Sequence, residues 1–471
     1  MNDASSSGPN KPILIRGLNW LGDAVMSLPA LEALGRFEKE RPVWVIARTG
    51  AAAAYRHHHG VERVITEERS LKGRMKLASI LRSQDFSRAF IFPNSFSSAL
   101  TAFLGRVPDR LGYRRNLRSA ILSKSLKMKP CDFYSHQSFH FLNLIEAAYG
   151  QAPFIRPKLA APPLDPQLAL PDGFKLALAP GAAYGGAKQW PAERFADSAL
   201  LILSELKGTA VILGGPSEMA AAAKVEERLK NRVPLLNLAG RTNLDQAAAA
   251  LAGCDLTLSN DSGLMHLSGA LDVPVVAAFG PTNPLSTSPL ARLWSIVRKP
   301  VECSPCLLRQ CPKAQRICFD GVTPQLMAQE AFRLLSKPVK AAGALFWKPN
   351  QAHPRLLTNS PNLRLVVDRS DFLKLSSEPF KAPEGTIVLQ QPLSASQMSD
   401  FWRNNGLNPS SSLWLSDDAT FLKNSLQFGG KSALIMTERA ISQIPDILHD
   451  DFLPSITVPD PARALEWFDG L

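Results

Sequence analysis

The chain has 471 residues, of which 45% are hydrophobic and 20% charged, a balance typical of soluble globular proteins with complete cores. No segment reaches the roughly 18 to 20 uncharged apolar residues of a membrane-spanning helix, which excludes an integral membrane protein of that kind. The first ten residues are polar and lack the apolar core of a signal peptide, so we expect a cytoplasmic protein. The length predicts about three domains.

The formal net charge of +12 is unevenly distributed along the chain. Residues 340–471 contain 12 Lys or Arg and 14 Asp or Glu, whereas the first 339 residues contain the remaining 41 basic and 27 acidic side chains. A basic surface predicts an anionic partner such as a nucleotide, a phosphorylated glycan, an acidic membrane surface or a nucleic acid. Solubility alone also explains such a surface, so the charge does not choose among these partners.

Short apolar strands alternate with helical patterns in the first third of the chain, which predicts a parallel, doubly wound α/β sheet. Strands are predicted at 11–17, 42–47 and 88–93, and a helix at 23–40. The run from Arg156 to Pro166 is rich in proline and therefore predicts a linker.

The same alternation begins again after this linker. Strands are predicted at 175–181, 210–216, 256–259 and 273–280, and helices at 192–207 and 218–230. The composition then changes near residue 337. We predict two tandem α/β domains at 11–165 and 172–337, with a ligand cleft between them. The third predicted domain, at 340–471, is a small extension of uncertain α/β character and unknown role.

The segment Ser259–His266 is the most informative in the chain. A buried strand precedes it and a helical pattern follows, so Asp261, Ser262 and Gly263 lie in the turn between the two. A helix start carries unpaired N–H groups and a partial positive charge, and glycine lets a ligand approach the backbone closely. The turn therefore predicts a phosphate site, with an ordinary capped helix as the alternative.

Two glycine-containing loops occupy matching positions in the two predicted α/β domains. The loop Gly17–Asp23 ends at a helix start, where Asp23 is either a general base or a plain helix N-terminal acid. The loop Pro180–Pro191 contains Lys188, whose charge would neutralise a diphosphate if it lies beside the Asp261 turn. The alternative for this lysine is a solvated side chain on a mobile loop.

Two further residues each have two interpretations. Glu218 follows Gly214-Gly-Pro-Ser, where its carboxylate can accept hydrogen bonds from a ribose or cap its own helix. His266 lies one turn inside the predicted helix and is either a ligand contact or a buried histidine with satisfied hydrogen bonds.

The segment Arg106–Arg118 contains five arginines in 13 residues. Guanidinium groups pair with phosphates and carboxylates, so the segment is a candidate site for an anionic acceptor, with a solvated basic surface as the alternative. The candidate acceptor contacts are Arg110, Arg114, Arg115 and Arg118. Tyr113 is the one aromatic residue among them, which disfavours a platform for single-stranded nucleic acid.

Four of the six cysteines lie within 16 residues, with the spacing C-x2-C-x4-C-x6-C. They are Cys303, Cys306, Cys311 and Cys318. Cytoplasmic chains rarely keep disulfides, so the cluster indicates either structural zinc or a packed, thiol-rich loop. Its spacing is tighter than that of common zinc ribbons, and the sequence leaves both interpretations open. The isolated Cys131 and Cys254 are expected to be small core residues.

Three of these segments together resemble the ADP-heptose:lipopolysaccharide heptosyltransferases, glycosyltransferase family 9, and within that family the heptosyltransferase II group. The segments are Ile13–Leu31, Pro180–Pro191 and Ser259–His266, and Phe279–Pro284 and the four clustered cysteines are similar as well. The resemblance extends from residue 11 to residue 335. It implies a GT-B architecture of two tandem Rossmann-like domains, with the acceptor bound by the first and the sugar nucleotide by the second.

The resemblance also implies an inverting transfer of heptose from ADP-heptose to the heptose of the lipopolysaccharide inner core, without a required cofactor. Asp23 matches the catalytic base of the family, Lys188 its phosphate-binding lysine, and Glu218 a position near the adenosine ribose. The segment around the diphosphate and the heptose is matched by Asp261, Ser262, Gly263, Leu264 and His266. The resemblance further implies that the protein is cytoplasmic or peripheral to the membrane, and that it binds its acceptor at the cytoplasmic face of the membrane.

The chain departs from the family pattern in two places. Ala183 and Tyr184 stand where some relatives have hydroxyl residues near the phosphates, which disfavours the heptosyltransferase I group, and residues 340–471 have no counterpart in the usual members. Two alternatives stay open: a GT-B glycosyltransferase with another donor or acceptor, and a basic, non-catalytic polyanion-binding protein. The ordered cleft motifs favour the enzyme, and no nucleic-acid partner is expected.

Overall fold

The computed structural model describes residues 11–68, 70–129, 132–133, 135–299 and 301–336, together with seven short strands beyond residue 336. Two six-stranded parallel sheets with helices on their faces form two successive lobes, as the sequence predicts. Within this described part of the chain, no helix is both long enough and apolar enough to cross a membrane.

The first sheet has the strand order β3-β2-β1-β4-β5-β6, and every neighbouring pair is parallel. Its strands are β1 (Ile13–Arg16), β2 (Val43–Ala47), β3 (Arg63–Thr66), β4 (Arg88–Ile91), β5 (Asp109–Tyr113) and β6 (Lys124–Leu126). The chain winds outward from β1 to β3 and then returns to the other side of β1 at β4. This reversal leaves a crevice at the carboxyl edge of the sheet, where β1 ends.

Helices cover both faces of the first sheet. They are α1 (Leu21–Phe37), α2 (Thr49–Arg56), α3 (Leu71–Ser83), α4 (Phe96–Leu104) and α5 (Ser138–Tyr149). Helix α1 packs against α2 and α5, whereas α3 packs against α4. In β1, Ile13 and Ile15 belong to the apolar cluster around α1, and Leu14 belongs to the cluster under α3 and α4. The alternation of side chains along a strand thus places the two helix layers on opposite faces.

The second sheet repeats this winding as β9-β8-β7-β10-β11-β12, again with parallel pairs. Its strands are β7 (Lys175–Ala179), β8 (Thr209–Ile212), β9 (Leu235–Asn237), β10 (Leu256–Asn260), β11 (Val275–Phe279) and β12 (Trp294–Arg298). Its helices are α6 (Ala192–Leu206), α7 (Met219–Leu229), α8 (Leu244–Ala252), α9 (Gly263–Ala270), α10 (Pro284–Thr287) and α11 (Pro324–Leu335). The winding reverses between β7 and β10, and therefore Lys188 and Asp261, which follow these two strands, flank one crevice.

The two lobes pack together where α1 approaches α9. A Cβ atom added to Gly22 would lie 2.8 Å from Cδ2 of His266, and one added to Gly263 would lie 2.8 Å from Cβ of Leu21. Two glycines therefore allow the first turns of these helices to face each other. Between the lobes, the predicted linker has no helix or strand before the 3₁₀ turn Pro166–Leu168.

Beyond residue 336 the described residues form seven strands. They are β13 (Leu345–Phe346), β14 (Leu357–Thr358), β15 (Arg364–Val367), β16 (Ile387–Val388), β17 (Ser412–Ser416), β18 (Lys431–Ile435) and β19 (Ile456–Val458). β13 and β14 are antiparallel, and the others form a parallel sheet of order β16-β15-β17-β18-β19. The segments between these strands lie outside the described residues, and the predicted domain limits at 11–165, 172–337 and 340–471 stay predictions.

Candidate active site

Asp23 lies in the first turn of α1, after the loop that follows β1. Burial raises its pKa to about 6; nearby Lys188 lowers the pKa and Asp261 raises it. The three side chains therefore share one electrostatic environment, although Asp23 belongs to the first lobe and the other two belong to the second. A carboxyl group with a pKa near 6 is mostly ionised at neutral pH and still accepts a proton readily, as a general base must.

Lys188 ends the 3₁₀ turn Gly186–Lys188 in the loop after β7. Its Nζ lies 2.7 Å from Oδ2 of Asp261 and 4.7 Å from the centre of the Tyr184 ring. The side chain is only 14% exposed, so the alternative of a solvated lysine on a mobile loop does not describe it. The ion pair and the aromatic face hold one positive charge at the crevice.

The turn after β10 is tied to the Lys188 loop by side-chain hydrogen bonds. The amide of Asn260 accepts from the backbone N–H of Trp190 (2.9 Å) and donates to the carbonyl of Pro180 (2.8 Å). Oδ2 of Asp261 accepts a 2.6 Å hydrogen bond from Thr282, besides its contact with Lys188. These hydrogen bonds join the loop and the turn. Thr282 is therefore a site residue, although the sequence indicated only the segment Phe279–Pro284 around it.

The start of α9 is suited to an anionic group. Ser262 is the N-cap residue, but its hydroxyl lies 3.0 Å from Oγ of Ser259 and makes no hydrogen bond to the helix. The first turn, which begins with Gly263 and Leu264, therefore has no side-chain cap on its N–H groups. A phosphate at this position would receive N–H donors and the positive end of the helix dipole.

His266 lies in α9 against the start of α1 and is 3% exposed. Burial lowers its pKa to about 4; Asp261 raises the pKa and Lys188 lowers it, so the imidazole is neutral at physiological pH. Its Nδ1 is buried without a hydrogen-bond partner in the described part of the chain. One of the two interpretations of the sequence predicted a buried histidine with satisfied hydrogen bonds. His266 is buried, but its Nδ1 lacks a hydrogen bond among the described residues and can form one with a ligand.

His136 lies beside the site and was missed by the sequence reasoning. Its Nδ1 is 2.9 Å from Oγ of Ser138 and its Nε2 is 2.9 Å from the carbonyl oxygen of Ser288, in the other lobe. Burial lowers its pKa to about 3; the Ser288 carbonyl raises the pKa, and His266 and His140 lower it further. No local pattern marks this residue, because its partner is 152 positions away in the chain.

Glu218 caps its own helix start, one of its two predicted roles, and lies next to Gly181 in the loop after β7. Its Oε2 accepts a 2.7 Å hydrogen bond from the backbone N–H of Gly215, as in a capping box. Burial raises its pKa, and the Gly215 hydrogen bond opposes this shift. A Cβ atom on Gly181 would lie 2.4 Å from the Glu218 carboxylate, so this glycine is needed for the close approach. The contact with a ribose stays a prediction.

The structure separates the four predicted acceptor arginines into two pairs. Arg118 is fully buried and donates to the carbonyls of Tyr113 and Pro93 and to Oδ1 of Asn94. Burial, followed by the charge of Arg115, lowers the pKa of Arg118 to about 10. Its donors are used inside the first lobe, which corrects the prediction of an acceptor contact for this residue.

Arg110 is also engaged internally. It donates to the carbonyls of Ile121 and Pro108, and its guanidinium carbon lies 5.4 Å from the centre of the Phe103 ring. Arg114 and Arg115 are exposed, so they are the members of this segment that remain open to an anionic acceptor.

The four clustered cysteines line one small cavity together with Ala187 and Pro281. All are free, as is Cys254, which is buried as expected and donates to the carbonyl of Ala250. Burial, and next the thiol of Cys303, raise the pKa of Cys318 to about 11. Cys131 lies outside the described residues.

A family model described as glycosyltransferase family 9 (heptosyltransferase) matches residues 74–316. The lipopolysaccharide heptosyltransferase 2 of Salmonella typhimurium is 29% identical over 353 residues, which cover 69% of this chain and 99% of that protein. The lipopolysaccharide heptosyltransferase 2 of Escherichia coli K12 is 30% identical, over 61% of this chain and 87% of that protein.

Solved structures show the same fold. The ADP-heptose lps heptosyltransferase II of E. coli has a TM-score of 0.60 and 27% identity, and covers 69% of this chain and 98% of that one. A glycosyl transferase family 9 protein from Veillonella parvula has a TM-score of 0.60 at 19% identity, over 71% of this chain and 99% of that one. These neighbours confirm the predicted GT-B architecture of two Rossmann-like lobes.

Proposed function

The chain belongs to glycosyltransferase family 9, and from this premise we propose that it transfers heptose from ADP-heptose to a heptose of the lipopolysaccharide inner core, with inversion. The relatives are named lipopolysaccharide heptosyltransferase 2, and the similar solved structure is titled an ADP-heptose enzyme. Membership in an enzyme family sets aside the non-catalytic polyanion binder.

One observation carries the mechanism: the buried carboxylate of Asp23 and the Lys188–Asp261 ion pair lie in one electrostatic environment across the lobe junction. Asp23 takes the proton of the acceptor hydroxyl as that oxygen forms a bond to the anomeric carbon of the donor. The bond from this carbon to the diphosphate breaks on the opposite side, so ADP leaves and the anomeric configuration inverts.

The departing diphosphate needs positive charge as the bond breaks. Lys188 supplies an ammonium group, and the uncapped N–H groups at the start of α9 supply hydrogen bonds at the same crevice. In the free enzyme, Asp261 balances the charge of Lys188. We propose that the donor phosphates take over part of this role while Asp261 turns toward a hydroxyl of the heptose. His266 is neutral and offers its free Nδ1 to the same ligand.

We place the acceptor on the first lobe, beside Asp23, and at the inner face of the cytoplasmic membrane. The exposed Arg114 and Arg115 would contact the anionic groups of the inner core. A basic and apolar surface on α3 and α4, named here the α3–α4 surface, supports peripheral association. It consists of Lys72, Arg74, Lys76 and Arg82 with Met75, Phe103 and Leu104, all exposed.

The decisive experiment is turnover of a donor panel with a heptose-bearing, truncated lipopolysaccharide acceptor. ADP-heptose should give product, whereas UDP- and GDP-sugars should give none. In parallel, ADP-heptose should raise the unfolding temperature of the wild-type protein and of Asp23→Asn, but stabilise Lys188→Ala much less. Turnover with a different nucleotide sugar and none with ADP-heptose would overturn the proposed donor and leave the family assignment intact.

A further inference from the structure

Residues 301–319, which lie between β12 and α11, are named here the four-cysteine loop. Its one element of regular structure is a 3₁₀ turn, Ile317–Phe319, at its end. A loop of this length with almost no helix or strand is uncommon inside a compact lobe. Something other than secondary structure must therefore fix its shape.

All four cysteines of the loop line one cavity of about 20 Å³, which has room for a single water-sized particle. The other lining residues include Ala187 and Pro281, and the charged Lys313 and Arg316. The thiols are free, so no disulfide among them closes the loop. Four thiols around a space for one particle form the donor set that Zn²⁺ takes in structural sites.

The loop lies directly against the turn that carries Lys188. The backbone N–H of Ala187 donates to the carbonyl of Arg309 (3.1 Å), and Arg316 donates to the carbonyl of Gly186 (2.7 Å). The hydroxyl of Tyr184, whose ring faces Lys188, donates to the carbonyl of Leu307 (3.1 Å). The shape of the loop therefore determines where the catalytic ammonium group lies.

Gly185 makes the contact between loop and turn tighter. It has a φ of +153°, and a Cβ atom there would lie 2.4 Å from the carbonyl oxygen of Arg309. A side chain at this position would push the two segments apart. The backbone of the four-cysteine loop at Arg309 therefore lies in direct contact with the backbone of the Lys188 turn.

A second group of side chains could in principle bind a metal ion, but a hydrogen bond to one of its histidines argues against this. Among the described residues, Glu32, His58 and His59 are the group whose potential ligand atoms all lie within 4.8 Å of one another. The backbone N–H of Gly60 donates to Nδ1 of His58 (3.1 Å), which leaves the ring proton on Nε2, 3.2 Å from Glu32. The nitrogen that faces the group is thus a donor and not a ligand.

The four thiols are spaced more widely than this group. Zinc–sulfur bonds of about 2.3 Å would draw them inward, and a loop without helix or strand can follow that movement. We propose that the four-cysteine loop is a tetrathiolate Zn²⁺ site whose metal fixes the loop, and through it the Lys188 turn. Each thiol exchanges its S–H bond for a Zn–S bond and releases its proton to solvent. The zinc site itself does not depend on the proposed function. The effect of the metal on donor binding through Lys188 does rest on it.

The test begins with the metal content of the full-length protein, purified without chelators from cells grown with zinc. Mass spectrometry of the digested protein should find about one zinc per chain in the wild type, and far less in Cys306→Ser. The matched control is Cys254→Ser, which removes a free thiol from the core of the second lobe. This variant should keep its zinc. Iron at the same stoichiometry would keep the site but overturn zinc as its metal.

Loss of the metal should also be visible without any turnover. A mercurial reagent that attacks thiols should release one zinc per folded wild-type chain, which keeps the test decisive even if Cys306→Ser does not fold. A strong chelator should lower the unfolding temperature of the wild type and weaken stabilisation by ADP. Zinc that dialyses away, or that Cys306→Ser retains in full, would overturn the site. Retained zinc with unchanged ADP binding after chelation would refute only the link to Lys188.

Discussion

The side chain of Asp23 combines two properties that oppose each other, burial and ionisation. Its pKa is raised to about 6 because burial penalises the carboxylate more than Lys188 stabilises it. The base form is needed to accept the proton of the acceptor, so kcat/KM should rise with pH up to about 6 and then level off. Asp23→Asn should lose about 100- to 10,000-fold in turnover. Steady-state rates from pH 5 to pH 8 would measure both effects.

The same pKa has a consequence for stability. Asp23 holds its proton more tightly in the folded chain than in the unfolded one, so stability is lost as pH rises from 3.8 through about 6. Asp23→Asn should therefore be more stable than the wild type at pH 8, by about 1 to 3 kcal/mol, with a smaller difference near pH 5. Chemical unfolding at the two pH values tests this. A variant that is both active and no more stable would contradict the assigned environment.

Arg118 and Arg115 differ in role although they are neighbours in one basic segment. Arg118→Met should lower the free energy of unfolding by about 2 to 4 kcal/mol, because it removes the guanidinium donor from two buried carbonyls and from the partly buried amide oxygen of Asn94. Arg115→Ala should change stability by less than about 0.5 kcal/mol but raise KM for the acceptor. Denaturant unfolding and acceptor titrations on both variants would check this division, and equal effects on stability would contradict it.

The proximity of Asp23, Lys188 and Asp261 was easier to predict from the sequence than their contacts. Asp23, Lys188 and Asp261 each follow a predicted strand, and strand ends of a doubly wound sheet converge on one crevice. The ion pair between Lys188 and Asp261 was not predictable, because it depends on how far the loops after β7 and β10 extend beyond the sheet. Burial of Arg118 and the bond from His136 to Ser288 depend on tertiary packing, which no local pattern reports.

At the scale of elements, the contact between α1 and α9 joins the two halves of the site. Gly22→Ala should destabilise the protein by about 1 to 3 kcal/mol and reduce turnover, since a Cβ atom there would lie 2.8 Å from His266. Asp23 is the next residue in α1, so any shift that relieves this clash moves the base away from the donor. Thermal unfolding and turnover, measured on the same preparation, would test the effect.

Gly35→Ala is the matched control in the same helix. No atom lies within 4 Å of a Cβ atom at Gly35, so the substitution should stabilise α1 by about 0.5 to 1 kcal/mol and leave turnover unchanged. If both alanine variants behaved alike, the proposed role of the α1–α9 contact would be wrong.

Most central strands were predicted from the sequence, with β5 as an exception, and the edge strands were not predicted. The buried strands β1, β2, β7 and β11 consist mostly of continuous apolar runs, the pattern of a parallel sheet covered on both faces. The edge strands β3, β6, β9 and β12 are only partly buried, so they lack that pattern. Helix α3 has a polar, basic sequence, which hides its amphipathic period.

For the whole molecule, the active site exists only while the two lobes keep their relative position. Asp245 at the start of α8 accepts from Arg56 (2.6 Å) and from His57 (2.8 Å) at the end of α2. A second contact between the lobes joins Nε2 of His136 to the carbonyl oxygen of Ser288. The Arg56–Asp245 contact is exposed and screened by solvent, so it favours one arrangement without locking it. The His136–Ser288 hydrogen bond, in contrast, is buried and is not screened.

The charge of the whole molecule is the basis of the last prediction. The excess of basic side chains lies before residue 340, and the α3–α4 surface combines four of them with Met75, which is 67% exposed. Helices α3 and α4 pack together on the face of the first sheet opposite α1, so the surface is free of the lobe junction. Anionic lipid attracts each nearby Lys or Arg by about 1 kcal/mol, and apolar side chains add contacts below the headgroups.

Lys72→Glu combined with Lys76→Glu should therefore weaken sedimentation with vesicles that contain acidic phospholipid by about 10-fold or more, and added salt should weaken wild-type binding in the same way. Lys230→Glu with Arg232→Glu makes the same charge change at exposed positions of the second lobe and should leave vesicle binding nearly unchanged. Both pairs should retain turnover on a detergent-dispersed acceptor, since none of these four side chains is among the charges that shift the pKa of Asp23. Equal losses from the two pairs would show that net charge alone, and not the α3–α4 surface, attracts the protein to the membrane.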